Sequence, residues 1–414
     1  MKIIISHPTG NSNVREAVDG LTKANILFKF YTCIAVFPET VLFKLGSISY
    51  LKELRRRKFN PNLRSMTNTY PWREIGRLFA LKVGWQKLIE HESGVFSVDA
   101  IYHSLDNYIA TNIQRTCKTN TISGIYAYED GAEYSFSIAK QIGLDCFYDL
   151  PTGYWRASRA LLHEEIERKP DWADTFTGFK DSEIKLKRKD KELSLADVVF
   201  VASKFTADTL KTYPGKLPPV KIIPYGFPPV FEHREYEGFE KMRKIKLLFV
   251  GKLTQQKGLA DLFDAIKGLE QYVELTLVGP KPIQNIKLNH ELTNHHYLKT
   301  LPHDEILLLM RKHDILVFPS LFDGFGMVIT EAMSQGTPVI ASDRSAGPDL
   351  IKHGENGWII SAGIPSTLRV MIEQIIETPE ILEKVGRAAM ESARKRPWRV
   401  YGKELANAIM EYDR

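Results

Sequence analysis

Residues 317–343 read VFPSLFDGFGMVITEAMSQGTPVIASD, and this stretch decides the fold class of the chain. The apolar run 315–318 begins two residues before this stretch and is typical of a buried parallel strand. Two glycines in the turn 323–326 allow a backbone to come close to a ligand. Residues 327–334 have the pattern of a short helix, and 339–341 form the next apolar run. The stretch therefore predicts a strand, a glycine turn, a helix and a second strand.

Two carboxylates bracket the predicted helix, because Asp323 precedes it and Glu331 lies within it. With seven residues between them, the two side chains lie roughly 12 Å apart along a helix axis. The span suits an extended ligand whose middle rests on the helix N-terminus, where free N–H groups and the helix dipole favour a phosphate. A nucleotide sugar has this shape. An N-cap role for Asp323 and a solvated position for Glu331 explain the spacing equally well.

The stretch resembles the donor-binding core of the GT-B glycosyltransferases, specifically the large retaining group called family 4. That family carries two acids separated by seven residues, and the first of them lies in a Glu-Gly-Phe-Gly turn. Here Asp323 replaces the first acid with a side chain one methylene shorter, and Glu331 matches the second. The resemblance implies that Glu331 holds the ribose hydroxyls. It assigns the donor sugar and phosphate to the turn and the first helical residue, namely Asp323, Gly324, Phe325, Gly326 and Met327.

A second motif opens the same half of the chain. Residues 246–259 read KLLFVGKLTQQKGL and predict a strand, a turn and a helix. They resemble the family's Val-Gly-Arg-Leu, three residues, Lys-Gly segment, in which Gly251 and Lys257 match and Lys252 replaces Arg. The resemblance implies that both lysines neutralise the charge that grows on the leaving nucleoside diphosphate. Lysine is a point charge, so Lys252 should hold a phosphate less rigidly than Arg. Two solvated lysines after a strand are the alternative.

The first half of the chain begins with a strand at 2–6, a loop and a helix at 14–27, which is the opening of a doubly wound sheet. In the resembling family this loop faces the cleft, and Gly10 and Asn11 take that role here; an ordinary turn is the alternative for Gly10. Further strands are predicted at 98–104, with His103 at its end, at 121–128 and at 145–151.

The resemblance also places an acid or histidine against the transferred sugar, at the end of a strand in the first half. The matching strand end offers Asp149, which is the first candidate for the catalytic-site acid. Asp130 is the second candidate and a weak one for the acceptor side of the cleft. A turn or N-cap role explains either residue. The implied catalytic set is therefore Asp149, Lys257 and Glu331.

Two charged regions lie between these motifs. Residues 161–191 are rich in both signs of charge and predict long surface helices. Residues 31–96 combine aromatic and basic side chains, with the densest cationic run, LKELRRRKF, at 51–59. Contact with an anionic membrane face is one interpretation of this region. A solvated helix face is the other.

A chain of 414 residues is too long for one core and predicts two domains. We expect a Rossmann-like acceptor-binding domain over 1–225 and a Rossmann-like donor-binding domain over 226–397. A helical pattern covers 364–393, and the last helix, within 398–414, should cross back to the first domain. The predicted fold is thus α/β of the GT-B type, with two doubly wound domains facing a cleft.

Composition narrows the setting of the protein. Net charge is +6, which permits phosphate or acidic-lipid contact without requiring it. The sequence contains no apolar run of about 18 residues and no signal-peptide pattern at its start, so we expect a cytoplasmic location, with peripheral contact at the inner membrane face as an open option. The three cysteines, Cys33, Cys117 and Cys146, are widely spaced and predict reduced, buried thiols and no metal site.

The resemblance implies a retaining, metal-independent transfer of a sugar from a nucleotide-diphosphate sugar to an acceptor hydroxyl. The donor should be a UDP- or GDP-sugar, and no further cofactor is expected. The acceptor should be a carbohydrate or a lipid-linked molecule, as in the synthesis of cell-surface polysaccharide or glycolipid. A sugar-nucleotide isomerase or epimerase, and a glycan- or lipid-binding subunit without turnover, are the alternatives. The basic residues form no nucleic-acid reading motif, and the sequence carries no signal for the oligomeric state.

Overall fold

The computed structural model describes residues 1–38, 40, 57–119, 121–176, 179–239, 243–282 and 285–412. Within them the chain builds two parallel sheets with helices on both faces. None of the described helices combines the length and the apolar composition that a membrane crossing requires. The prediction of two doubly wound α/β domains is confirmed.

The first sheet has the strand order β3-β2-β1-β4-β5-β6-β7. Its strands are β1 (Ile3–Ser6), β2 (Leu27–Thr32), β3 (Thr67–Thr69), β4 (Gly124–Tyr128), β5 (Asp145–Leu150), β6 (Val198–Val201) and β7 (Val220–Ile222). Its helices are α1 (Ser12–Lys23), α2 (Trp72–Val83), α3 (Val98–Thr119), α4 (Glu133–Gln141), α5 (Trp155–Arg168), α6 (Glu183–Leu195) and α7 (Lys204–Thr209). The strand order reverses between β1 and β4, and the loops after these strands diverge there to leave a crevice.

The second sheet has the strand order β10-β9-β8-β11-β12-β13. Its strands are β8 (Ile245–Val250), β9 (Val273–Val278), β10 (His296–Leu298), β11 (Ile315–Phe318), β12 (Val339–Ser342) and β13 (Trp358–Ile360). Its helices are α8 (Leu259–Ile266), α9 (Ile286–Leu292), α10 (His303–Lys312), α11 (Met327–Ser334), α12 (Gly347–Leu350), α13 (Pro365–Glu377) and α14 (Ile381–Lys395). The strand, turn, helix and strand predicted over 315–341 are β11, the glycine turn, α11 and β12.

The last helix, α15 (Trp398–Met410), returns to the first sheet. Its buried residues Leu405 and Ile409 share one apolar cluster with Val14, Val18 and Leu21 of α1. The predicted crossing of the last helix is present.

A second crossing was not predicted. The 3₁₀ turn Pro170–Thr175 follows α5, yet it packs into the core of the second sheet. Trp172 is 4% exposed, and its ring stacks on Phe263 with centroids 5.9 Å apart. The guanidinium of Arg168 donates to both carboxylate oxygens of Asp261 at 2.7 Å. We call residues 168–175 the strap.

Two predicted elements are wrong. Residues 98–104, predicted as a strand, are the start of α3, and His103 lies on that helix. The buried Ile101 and Leu105, four residues apart, belong to a helical period that a seven-residue window is too short to reveal. The single helix predicted over 364–393 is two helices, α13 and α14, which are separated at Thr378–Glu380.

The charged segment 161–191 is not all surface. Glu165, Lys185 and Arg188 are each less than 9% exposed. They are buried because partners of opposite charge surround them: Arg168 donates to Glu165 at 2.7 Å, for example. The prediction of surface helices was wrong for these residues because the number of charges in a segment does not show whether each charge has a partner in the fold.

The cationic run predicted at 51–59 lies outside the described residues, apart from 57–59. Arg57 is buried, and its guanidinium donates to the carboxylate of Glu74 in α2. At this position the solvated-face interpretation is wrong. The thiols of Cys33 and Cys146 are buried, as predicted, and burial raises the pKa of each to about 12. Cys117, also predicted to be buried, is only partly so.

Candidate active site

A cavity of about 650 Å³ lies between the carboxyl ends of the two sheets. The first half of the chain lines it with Gly10, Asn11, Ser12, Asn13, Arg15, Pro151 and Tyr225. The second half lines it with Val250, Gly251, Lys257, Phe318, Asp323, Phe325, Gly326, Met327, Val328 and Glu331. The structure thus brings together most of the residues that the two motifs predicted.

The glycine turn has a conformation that only glycine adopts easily. Gly326 has φ +82°, and a Cβ there would lie 2.8 Å from the ring of Phe318. It is the N-cap of α11, so the turn delivers the helix N-terminus to the cavity. Asp323 Oδ1 accepts the backbone N–H of Phe325 at 3.1 Å. That amide is therefore already bonded within the turn.

The turn is also anchored to the first domain. The carbonyl of Gly324 accepts hydrogen bonds from Ser203 Oγ at 2.6 Å and from Thr206 Oγ1 at 3.0 Å. A Cβ on Gly324 would lie 2.3 Å from the carbonyl oxygen of Pro151. The two domains therefore meet tightly at the floor of the cavity.

Lys257 is placed by a 3₁₀ turn, Gln255–Lys257, that ends at Gly258. Gly258 has φ +74°, and a Cβ there would lie 2.0 Å from the carbonyl of Pro319. The Lys257 ammonium donates to Asp323 Oδ2 and lies 5.6 Å from the centre of the Phe318 ring. The predicted phosphate cation and the predicted sugar acid therefore form an ion pair.

Glu331 lies on the second turn of α11 and lines the cavity with a side chain that is 15% exposed. His303 Nε2 lies 3.0 Å from Glu331 Oε1. An ionised carboxylate only accepts, so the imidazole N–H is the donor. This contact raises the pKa of His303 above its ordinary value, against the opposing effect of burial.

Lys252 is exposed and does not line this cavity. It stands just past the end of β8, and the chain turns before Lys257 comes back toward the cleft. The motif predicted the two lysines as a pair, but their settings differ: Lys252 is exposed, and only Lys257 is among the residues that line this cavity.

Asp149 is not among the residues that line this cavity. It is 3% exposed, and Tyr126 donates its hydroxyl to Asp149 Oδ2. Burial raises the pKa of Asp149 to about 7, although the Tyr126 hydrogen bond acts in the opposite direction. The hydroxyl of Tyr225, which does line the cavity, accepts from Asn13 Nδ2 at 3.2 Å. The catalytic role of Asp149 stays a prediction.

Asp130 is not among the residues that line this cavity. It has φ +71°, and its carboxylate lies 3.4 Å from the nearest nitrogens of both Lys185 and Arg188 on α6. This ion-pair network joins the loop after β4 to α6. Its predicted acceptor role stays untested.

The sequence argument did not single out several residues that line the cavity, among them Arg15, and it missed His303, which contacts the cavity residue Glu331. Arg15, on the first turn of α1, brings a cation to the wall that faces Lys257, with its guanidinium 5.7 Å from the Phe59 ring. His303, which precedes Glu331 by 28 residues in the sequence, forms a hydrogen bond with the Glu331 carboxylate. Arg15 follows the cleft loop by one helical turn from Asn11, and this spacing could have indicated it.

One group of possible metal ligands occurs among the described residues, and it lies outside the cavity. It comprises His91, Glu92 and Asp181, whose ligand atoms lie within 4.8 Å of one another. Asp181 also lies 3.4 Å from the ammonium groups of Lys185 and Lys189. These cations compete with a metal ion for the same carboxylate.

Comparisons with known proteins identify this architecture. Residues 231–392 match the family model described as Glycosyl transferases group 1. D-rhamnosyltransferase WbpZ of Pseudomonas aeruginosa is 30% identical over 196 residues, which cover 44% of this chain and 50% of that protein. The chain spans about half the length of the curated relatives that it matches.

Solved structures are similar over the whole chain. Sucrose-phosphate synthase of Thermosynechococcus elongatus has a TM-score of 0.66 at 16% identity, with 99% of this chain and 98% of that one covered. HepE of Anabaena, in complex with UDP, has a TM-score of 0.60 at 16% identity, with both chains covered completely. The fold is GT-B, as the sequence predicted.

Proposed function

We propose that this chain, whose residues 231–392 match the family model of glycosyl transferases group 1, transfers a glycosyl group from a nucleotide-diphosphate sugar to an acceptor hydroxyl. The observation that carries the proposal is the meeting of Lys257, Asp323, Glu331 and the N-terminus of α11 at one cavity. A cation, two acceptors of hydroxyl protons and a helix dipole are the groups that an anionic, polyhydroxylated donor needs.

The Lys257–Asp323 ion pair suggests how the donor is received. A bound pyrophosphate carries more charge than one carboxylate and takes over the ammonium of Lys257. Asp323 Oδ2 is then released toward the sugar hydroxyls, while Oδ1 keeps the Phe325 N–H. When the sugar–phosphate bond breaks, Lys257 and the α11 N-terminus stabilise the charge on the leaving group.

The finer features of the reaction extend the same proposal. We propose that the anomeric configuration is retained and that no metal is needed. The donor is proposed to be a UDP- or GDP-sugar, and the UDP bound in the HepE structure supports UDP. The wall formed by Gly10, Asn11 and Arg15 faces the donor groups, which supports an acceptor site there. The acceptor is proposed to be a carbohydrate or a lipid-linked saccharide in polysaccharide or glycolipid synthesis.

The test begins with a thermal-shift panel of UDP, GDP, ADP, CMP and dTDP, each with and without EDTA. A ligand at 100 times its dissociation constant adds about 2.7 kcal/mol of stability. We expect one nucleoside diphosphate to stabilise the protein equally in both conditions, and Glu331→Ala to reduce the shift. An EDTA-sensitive shift would refute metal independence.

The matching nucleotide sugar then tests turnover. Release of the nucleoside diphosphate only when a glycan or glycolipid acceptor is present supports transfer, and the anomeric coupling constant in the product reports retention. Conversion of the donor sugar without any acceptor would instead identify an isomerase or epimerase. Binding without any turnover would identify a binding subunit.

An exposed apolar face on α2 supports contact with an anionic lipid surface, which we propose as the site where a lipid-linked acceptor is met. Trp72, Ile75 and Phe79 follow helical spacing and are between 49% and 71% exposed. The exposed Lys82 and Lys87 lie beside them in the chain. Indole rings and cations next to an apolar stripe favour the headgroup region of anionic bilayers.

Vesicle sedimentation tests this contact. We expect binding to vesicles that contain phosphatidylglycerol, weaker binding to phosphatidylcholine alone, and loss of binding in Trp72→Ala/Phe79→Ala. Tyr272→Ala, which removes an aromatic side chain 41% exposed on the second domain, is the matched control and should bind normally. Equal binding by both variants would refute the α2 site.

A further inference from the structure

A hydrogen bond between His303 and Glu331 joins two helices beside the cavity. His303 is the first residue of α10, and its side chain is 57% exposed, so burial does not hold it in place. Its hydrogen bond to Glu331 Oε1, at 3.0 Å, joins the start of α10 to the second turn of α11. The carboxylate that His303 holds faces the cavity.

The chemistry of a carboxylate leaves room for a second partner. Ionised Glu331 offers about four lone-pair sites, and the imidazole N–H uses one of them on Oε1. Oε2 and the second lone-pair site on Oε1 can still accept hydrogen bonds. A ribose brings two adjacent hydroxyl donors, O2′ and O3′, which match this remaining capacity. The same carboxylate therefore has acceptor sites for His303 and for a ribose at the same time.

We propose that His303 is a positioning residue that fixes the Glu331 carboxylate for the 2′- and 3′-hydroxyls of the donor nucleotide, and thereby makes the site selective for ribonucleotides over 2′-deoxyribonucleotides. The inference rests on the proposed function, because it assumes a nucleotide in this cavity. Without His303, the flexible Glu331 side chain must be ordered by the ligand itself, which lowers affinity roughly two- to tenfold.

The charges around His303 set the expected pH dependence. Glu331 of α11 and the neighbouring Asp304 of α10 both favour the protonated imidazole and raise the pKa of His303, and burial lowers it. An imidazolium donates a stronger hydrogen bond to a carboxylate than a neutral imidazole does. The contribution of His303 is thus complete at low pH and decreases as pH rises through its raised pKa.

Isothermal titration with UDP, 2′-deoxy-UDP, GDP and 2′-deoxy-GDP tests the inference. We expect the wild-type protein to prefer the ribonucleotide, and His303→Leu to lose roughly two- to tenfold in affinity for it. The deoxy form, which offers Glu331 only its 3′-hydroxyl, should lose less, so the preference should shrink. His303→Gln retains an N–H donor, so it should keep most of the preference, but its affinity should no longer decrease as pH rises. His290→Leu removes an exposed histidine on α9 and is the matched control.

The outcomes separate this inference from the proposed function. An unchanged ratio of ribo to deoxy affinity in His303→Leu, with a wild-type melting temperature, would overturn the role of His303. A wild-type protein that binds both forms equally would overturn the role of Glu331 at the ribose, and this inference with it. If no nucleoside diphosphate binds the wild-type protein, the proposed function itself fails.

Discussion

Replacing Lys257 with alanine tests the donor site most directly. The substitution removes the one cation that the second domain brings to the described cavity, and it leaves Asp323 bonded to the Phe325 amide. The Lys257 and Asp323 side chains are about one-fifth exposed, so the broken ion pair should change stability by less than about 1 kcal/mol. The fold should therefore survive.

The effect on binding follows from two terms. A hydrogen bond to a charged group contributes about 1.5 to 3 kcal/mol, and the wild-type ammonium must first leave Asp323, which costs up to about 1 kcal/mol. The difference, roughly 1.5 kcal/mol, corresponds to a loss of about tenfold in affinity for the nucleoside diphosphate. If the charge on the leaving group grows during transfer, turnover should fall further, by about 10²- to 10³-fold.

The assay is titration of the nucleotide selected by the melting panel, followed by turnover with its sugar. Lys252→Ala is the discriminating comparison, because that lysine is exposed outside the cavity. We expect its affinity to stay within about twofold of wild type, since surface charges contribute little. Equal losses in both variants would refute the separation of the two lysines, and normal binding by Lys257→Ala would refute the site.

Three further substitutions examine the scaffold. Asp149→Asn should flatten the pH dependence of unfolding. The pKa of Asp149 is raised from 3.8 to about 7, so the carboxyl favours the folded state at low pH, and the free energy of unfolding should fall by roughly 3 kcal/mol as pH rises from 4 to 7. Denaturation at both pH values would show or refute this fall. Gly258→Ala should unfold more easily and lose nucleotide binding. Gly268→Ala, which has φ +82° but open space around the new Cβ, should lower the free energy of unfolding by only about 1 kcal/mol. Similar losses of stability in the two variants would contradict the clash at Gly258. Trp172→Ala should cost about 3 to 5 kcal/mol in urea denaturation, and a value below 1 would mean that the strap is loosely packed.

The sequence predicted the features that depend on short stretches of chain. The stretch 315–341 was predicted correctly because its strands are continuous apolar runs, and its turn and helix ends carry glycines. Lys257 and Glu331 reach the cavity because the position of each is fixed by the turn immediately before it. Local patterns of this kind determine local backbone geometry, whatever the rest of the fold does.

The features that the sequence did not predict depend on distant partners. Asp149 resembles a cleft residue by its place at a strand end, but Tyr126, Tyr225 and Tyr401 come from three other segments to enclose it. His303 meets Glu331 only because α10 packs beside α11. Trp172 lies in a charged run whose core is supplied by the other half of the chain. The periodicity of a short stretch of sequence carries no information about contacts between residues that are far apart in the chain.

The strap changes the mechanics of the cleft. Two chain crossings, between β7 and β8 and between α14 and α15, would act as a simple hinge on which one domain swings. The strap adds a third attachment, and α5, just before it, packs Leu162 against Leu321 and Phe322 beside the glycine turn. Three attachments remove the free rotation that two allow. Any motion that separates the two sheets must therefore either carry α5 along with the second domain or take Trp172 out of the core of the second sheet.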